Sequence, residues 1–209
     1  ALSMAEEPPL AAMGLSGDLS FNARWDIDTT GPALKAELLA LMLDTVYRQM
    51  PRQSYGDMDW RARVSRIAVE NRVLLERHPW VADLPTTRPP LGPGLIAKYD
   101  HELHAFDGLG LSDLDMDAAL THVLGFVTAV ARIAIEARAA ADDSGETDEQ
   151  WWQRAGPLLD RVLDADRYPL AVRVGSVAGQ THNSAYDADH AFDFGLARVL
   201  DGLSALIET

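Results

Sequence analysis

Cysteine is absent from all 209 residues. That excludes disulfides, thiolate metal ligands and a cysteine nucleophile, and it fits the reducing cytoplasm in which the chain is expected to reside. Lysine is almost absent too: only Lys35 and Lys98 occur, and the net charge is −14. Nucleic-acid affinity rests mainly on Lys and Arg neutralising phosphates. No basic patch is legible here, and residues 1–50 carry only Arg24, Lys35 and Arg48 as cations. The first thirty residues lack a basic start followed by an apolar core, so no signal peptide is legible. Long hydrophobic runs are missing as well. The most apolar stretch, 118–131, is interrupted by Thr121, His122, Gly125 and Thr128. It is shorter than the roughly 20 residues that a bilayer requires, which predicts a buried helix and no contact with a membrane. A Gly-x-Ser-x-Gly elbow, a P-loop and a Gly-x-Gly-x-x-Gly stretch are all absent, so no catalytic motif and no cofactor site are read from the chain.

What remains is apolar and helical in character. Hydrophobic residues make up 47% of the chain, enough for a substantial core, and Ala and Leu dominate, as helices prefer. Residues 1–33 differ from the rest. Pro8, Pro9, Gly14, Gly17, Gly31 and Pro32 break any long helix, and 19–25 alternates weakly as an extended strand does. Phe21, Trp25 and Ile27 are expected to pack this segment on the body. From Lys35 onward the periodicity is helical. Helices are expected over 35–50, 59–77, 94–106, 115–140 and 149–163, with Asp59 capping the second and Ser112 opening the fourth. A shorter one is read over 168–177. Acidic 142–148 and polar 180–186 read as loops, and 78–80 reads as a helix stop.

The last stretch, 187–207, is an amphipathic helix with an unusually wide apolar face. Phe192, Leu196, Val199, Leu203 and Ile207 recur at steps of three and four. Beside them lies a strip of small residues, Ala191, Gly195, Gly202 and Ala205, that would let another helix approach closely.

Three segments in this order carry a resemblance: KAELLALMLDTVY (35–47), RPPLGPGLIAKYDHELHAFDGLGLSDLDMDAALTHVLGFV (88–127) and HAFDFGLARVLDGLSALI (190–207). Together they resemble the C-terminal ligand-binding and dimerisation domain of TetR-type transcriptional regulators, over about residues 35–207. The resemblance implies an all-α fold and a homodimer in which helices 115–140 and 187–207 pair with their mates as a four-helix bundle. Phe192, Gly195, Leu196, Val199, Gly202 and Leu203 would build that interface. In an intact family member, ligand occupancy shifts the spacing of two DNA-reading heads through the helix that begins here near Lys35. A helix-turn-helix precedes that helix in the family. Residues 1–33 offer none: Pro8-Pro9, the glycines and Glu6, Glu7, Asp18, Asp26 and Asp28 argue against a recognition helix. The chain therefore divides into a divergent segment, 1–33, and a TetR-like domain, 34–209.

The expected function is an effector-responsive regulator that binds a hydrophobic small molecule, without DNA reading legible in the chain itself. The other reading is a sensor fold that has lost its DNA reader and serves as a ligand-sequestering protein or a biosynthetic enzyme, such as a cyclase, on an apolar substrate. A pocket would lie between the helices at 59–80, 94–106, 115–140 and 149–163, lined by Trp60, Arg63, Trp80, Tyr99, His104, His122, Phe126, Trp151 and Trp152. His122, among Leu120, Val123, Leu124 and Phe126, would need a partner for its ring nitrogens. His101 and His104 share a helical face, but zinc needs a third and fourth ligand, and no complete metal set is legible.

Overall fold

The computed structural model of the chain describes residues 32–84 and 89–208, which form seven α-helices and no strand. They are α1 (Pro32–Gln49), α2 (Trp60–Arg77), α3 (Pro93–Leu103), α4 (Asp113–Ser144), α5 (Asp148–Val162), α6 (Pro169–His182) and α7 (Ala188–Ile207). The expected packing of Phe21, Trp25 and Ile27 lies outside the described residues.

The helix starts follow the local chemistry. Asp59 accepts a hydrogen bond from Ala62 N at 2.8 Å, and Ser112 accepts one from Asp115 N at 3.2 Å. Each satisfies a backbone donor that has no partner inside its helix. Thr147 and Gln150 close a reciprocal capping box at α5, and Asp187 caps α7 through His190 N at 2.8 Å. Pro93 and Pro169 stand at the first positions of α3 and α6, where the missing N–H costs nothing.

Helix α4 is the axis of the core. Leu120, Val123, Val127 and Ala131 are buried at steps of three and four. They meet Val64, Ile67 and Ala68 of α2 and Phe192, Leu196, Leu200 and Leu203 of α7 within one apolar cluster. Burying a side chain of this size contributes about 1.5–3 kcal/mol, so this cluster dominates the cohesion of the domain. α1 packs chiefly on α3, while α5 and α6 lie at the periphery, touching where Trp152 covers Gly179.

Several boundaries differ from the sequence expectation. α4 runs on to Ser144 and ends where Gly145 takes φ 66°, so only Gly145–Thr147 remain of the expected 142–148 loop. α6 extends to His182 and takes up the start of the expected 180–186 loop, with Asn183 turning the chain at φ 50°. As expected, α2 ends at Arg77 with His78 at its C-cap, and Pro79 then opens a 3-10 turn, Pro79–Asp83, whose Val81 and Ala82 are buried. At 32 residues α4 is long and apolar enough to cross a bilayer by length and composition alone. Its reading as a core helix therefore rests on its packing, not on its length. That packing is one-sided, because Ala118, Thr121, His122, Gly125, Ala129 and Ile133 are exposed.

Candidate functional site

One cleft of about 480 Å³ is walled by four parts of the chain. α2 supplies Arg72, α4 supplies Ala134, Ala137 and Arg138, the start of α5 supplies Thr147, Asp148 and Glu149, and the α6–α7 turn supplies His182 to Asp189. The alanines make a low apolar wall, because small side chains on the outer half of α4 leave room above the helix. The left-handed turn at Asn183 folds the α6–α7 segment back toward it.

The electrostatics are mixed. Arg72 pairs with Asp189 through Nη2 and with Glu76 through Nε at 3.0 Å, and Arg138 reaches the same Glu76 at 3.6 Å. The hydrogen bond to Asp189 is the main reason that the Arg72 guanidinium is held more firmly protonated than usual. Its Cζ also lies 4.7 Å from the centre of the Phe192 ring, which joins the cleft to the core. His182 Nδ1 stands 3.2 Å from Asp187 Oδ2, and Asn183 Nδ2 donates to Glu149 Oε1 at 2.5 Å. The backbone N–H of His190, with help from His182, holds the Asp187 carboxyl below the usual carboxylate range. Burial, reinforced by Asp187, raises the Tyr186 phenol.

This arrangement suits recognition of a polar or anionic group. The Asp189 side chain is 80% exposed. A pair with so wet a partner contributes about 0–1 kcal/mol, so a ligand carboxylate or phenolate can replace Asp189 on Arg72 at little cost. A nucleophilic arrangement is not made: Ser184 donates its hydroxyl proton to Tyr186 O at 2.9 Å, not to the neighbouring His182.

None of the residues expected from the sequence to line a pocket lies in this cleft. Trp60 is half-buried against the core beneath the Arg61 guanidinium, 4.8 Å from its ring centre. Arg63 spends its Nε on Met58 O at 2.8 Å, and Trp80 packs from the 3-10 turn onto the core. Tyr99 is exposed and donates to Asp117 at 2.6 Å, while His104 is exposed with Nδ1 2.7 Å from Asp100 O. Trp151 and Trp152 pair with each other at 6.3 Å on α5. Phe126 meets Phe192 at 5.9 Å inside the core. His122, expected to need a buried partner, is solvent-exposed on the open side of α4. His101 and His104 point to different uses, since His101 stacks on Tyr55 at 5.0 Å.

Within one subunit, the six residues expected at a dimer interface differ in exposure. Phe192, Leu196 and Leu203 are buried within the subunit's own core and Val199 is half-buried. A Cβ on Gly195 would meet the Phe126 ring at 2.3 Å, so this glycine admits α4 of the same chain. Gly202 faces open space, and about two turns earlier on α7 Phe194 is 58% exposed.

The sequence has known relatives. The family model described as "Tetracyclin repressor-like, C-terminal domain" matches residues 51–207. The chain belongs to the TetR family. It is 36% identical over 174 residues to the HTH-type transcriptional repressor DrrR1 of Streptomyces coeruleorubidus, covering 83% of this chain and 62% of that protein. An HTH-type transcriptional regulator of Saccharopolyspora erythraea is 30% identical over 103 residues, 49% of this chain and 42% of the relative. The chain thus spans less than two thirds of the length of either relative.

Proposed function

We propose that this domain is the effector-binding and dimerising part of a TetR-type transcriptional regulator, and that the Arg72 cleft receives the effector. The observation that carries the reading is the cleft itself: two arginines beside an alanine wall, closed on the far side by a polar turn that both α6 and α7 would feel. An effector of mixed character fits it, with an apolar body against Ala134 and Ala137 and an anionic or carbonyl group at Arg72 and Arg138. In this reading the longer relatives' role in transcription extends to this chain, with α1 carrying the effect of occupancy toward a DNA-reading head. An effector acts only by binding one arrangement of the domain better than the other.

The test is a thermal-shift screen of small acidic and phenolic compounds, followed by titration of any hit against Trp151 and Trp152 fluorescence. These tryptophans lie within a turn of Glu149 on the cleft wall. A true effector at one hundred times its Kd stabilises the fold by about 2.7 kcal/mol. Arg72→Ala is expected to weaken that compound at least about tenfold, the weight of one charged hydrogen bond. A compound that binds equally well to wild type, Arg72→Ala and Arg138→Ala would place the effector site elsewhere.

A further inference from the structure

The stretch 51–59, which joins α1 to α2, has no helical backbone, and Tyr55 is its one buried side chain. Arginines fasten parts of it: Arg52 Nη2 donates to Tyr47 O at 2.8 Å, Arg63 Nε to Met58 O at 2.8 Å and Arg66 Nη1 to Ser54 O at 3.2 Å. These bonds hold the loop to α1 and α2. Tyr55 holds it to α3. Its ring stacks on the His101 imidazole with 5.0 Å between centres and 14° between planes, and its hydroxyl donates to the His101 backbone oxygen at 3.2 Å.

The imidazole is badly placed to carry a proton in this contact. Its Nε2 is buried and has no hydrogen-bond partner among the described residues, whereas an imidazolium needs acceptors for both ring N–H groups. Burial is the main reason that His101 is held below the usual histidine range. Of the charged groups that act on it, Arg52 of the loop, Arg66 of α2 and His104 of α3 push the same way, and only Glu102 of α3 opposes them. The Glu102 oxygens are already taken, Oε1 by Asn71 Nδ2 at 2.6 Å and Oε2 by Lys98 Nζ at 2.7 Å. Tyr55 itself stays neutral, because burial, then Glu70 and Glu102, raises its phenol against the pull of Arg66 and Arg63.

We propose that the Tyr55–His101 stack is a proton-released strap: it pins the 51–59 loop to α3 while His101 is neutral and frees the loop when His101 is protonated. Out of the stack the imidazole is solvated and titrates near its ordinary value of about 6.5. Protons therefore favour the open loop. The closed strap has its full stability above about 6.5 and loses it as pH falls from there through the lower closed-state value. Between pH about 7.5 and about 5.5 the opening equilibrium can rise by up to about tenfold. Glu70 cannot give this sign, because its carboxyl is raised, chiefly by burial, and acid there favours the folded form. None of these residues lines the Arg72 cleft, so the strap is independent of the effector reading.

The Met58 amide, which donates to Tyr55 O at 3.1 Å, reports whether the loop is seated. Its hydrogen-exchange protection is read by NMR on the full chain and corrected for the intrinsic effect of pH on exchange. Protection is expected to fall severalfold from pH about 7.5 to about 5.5, with Val123 and Val127 of α4 unchanged. His101→Phe keeps a ring for the stack but cannot take a proton, and its Met58 protection is expected to be the same at both pH values. Should that variant fail to fold, the wild type supplies a second readout: the His101 ring resonances should titrate with the same midpoint as the loss of Met58 protection. Protection that ignores pH in the wild type would overturn the strap. So would a pH-dependent loss that persists in His101→Phe, a His101 midpoint apart from that of Met58, or an equal loss at the α4 amides.

Discussion

Glu70 on α2 shows how burial sets a sign at the residue scale. Burial is the largest influence on its carboxyl and, with Glu102, raises it above the usual range against the opposing pull of Arg66. A folded pKa above the unfolded one means that the native state favours the protonated form. The stabilising contribution is fully present below the unfolded value near 4.3 and is lost as pH rises through the folded value. Glu70→Gln is therefore expected to raise the Tm at pH 7, with the gap to wild type closing as pH falls below about 4. A gap that stays constant across a pH series of thermal melts would show that the charge is not the cause. Asp187 has the opposite sign: its depressed carboxyl stabilises above the unfolded pKa and loses that contribution as pH falls through the folded value. The residues that line the cleft were hard to see in the sequence for a related reason. Arg72, Arg138, Glu149 and Asp189 read as ordinary solvated helix faces, and only the fold of the α6–α7 turn gathers them. The aromatics were the visible alternative, yet Trp60 and Trp80 are spent on the core. His122 has apolar sequence neighbours but is itself exposed. Its helical neighbours, Ala118 and Gly125, lie on the open side of α4.

At the scale of elements, helix starts were legible and two helix ends were not. Asp59, Ser112 and the prolines announce starts through side chains with a fixed physical role. The end of α4 was obscured by Asp142 and Asp143, whose charge suggested a solvated loop. They sit instead in the last turn of the helix, where the macrodipole is negative and acidic groups are disfavoured. Replacing Asp142 by Lys is expected to stabilise the domain by about 0.3–1 kcal/mol at low salt, and the gain should shrink as salt is added. Denaturant melts at two ionic strengths measure this, and a gain unaffected by salt would point to another cause. Gly145 supplies the actual stop. Its φ of 66° strains any residue with a Cβ, so Gly145→Ala is expected to cost about 1 kcal/mol despite the open space around it. Wild-type stability in that variant would mean that the helix end relaxes without the left-handed turn.

For the whole molecule, the open question is what covers the exposed side of α4 and α7. Leu114, Ala118, Gly125 and Ala129 are exposed on α4, and Phe194, Gly202 and Ala205 are exposed on α7, with open space at both glycines. Such a surface, small-residued and flanked by apolar groups, suits a second copy packing helix against helix about a two-fold axis. The choice of glycine decides how cleanly this can be tested. A substitution at Gly195 strikes the Phe126 ring and damages the subunit itself, so loss of a dimer there proves little. Gly125 has nothing within 4 Å in its own subunit, and a larger side chain there meets only what comes from outside. Within the isolated subunit, replacing a mid-helix glycine by leucine should favour the helix by about 0.5–1 kcal/mol. The expected outcome is therefore a split. Wild type should run in light scattering at twice its 22.8 kDa chain mass. Gly125→Leu should run as a monomer with an undiminished helical circular dichroism signal. A wild-type monomer, or a variant dimer of full strength, would remove α4 from the interface and leave its open side without a partner of the same chain.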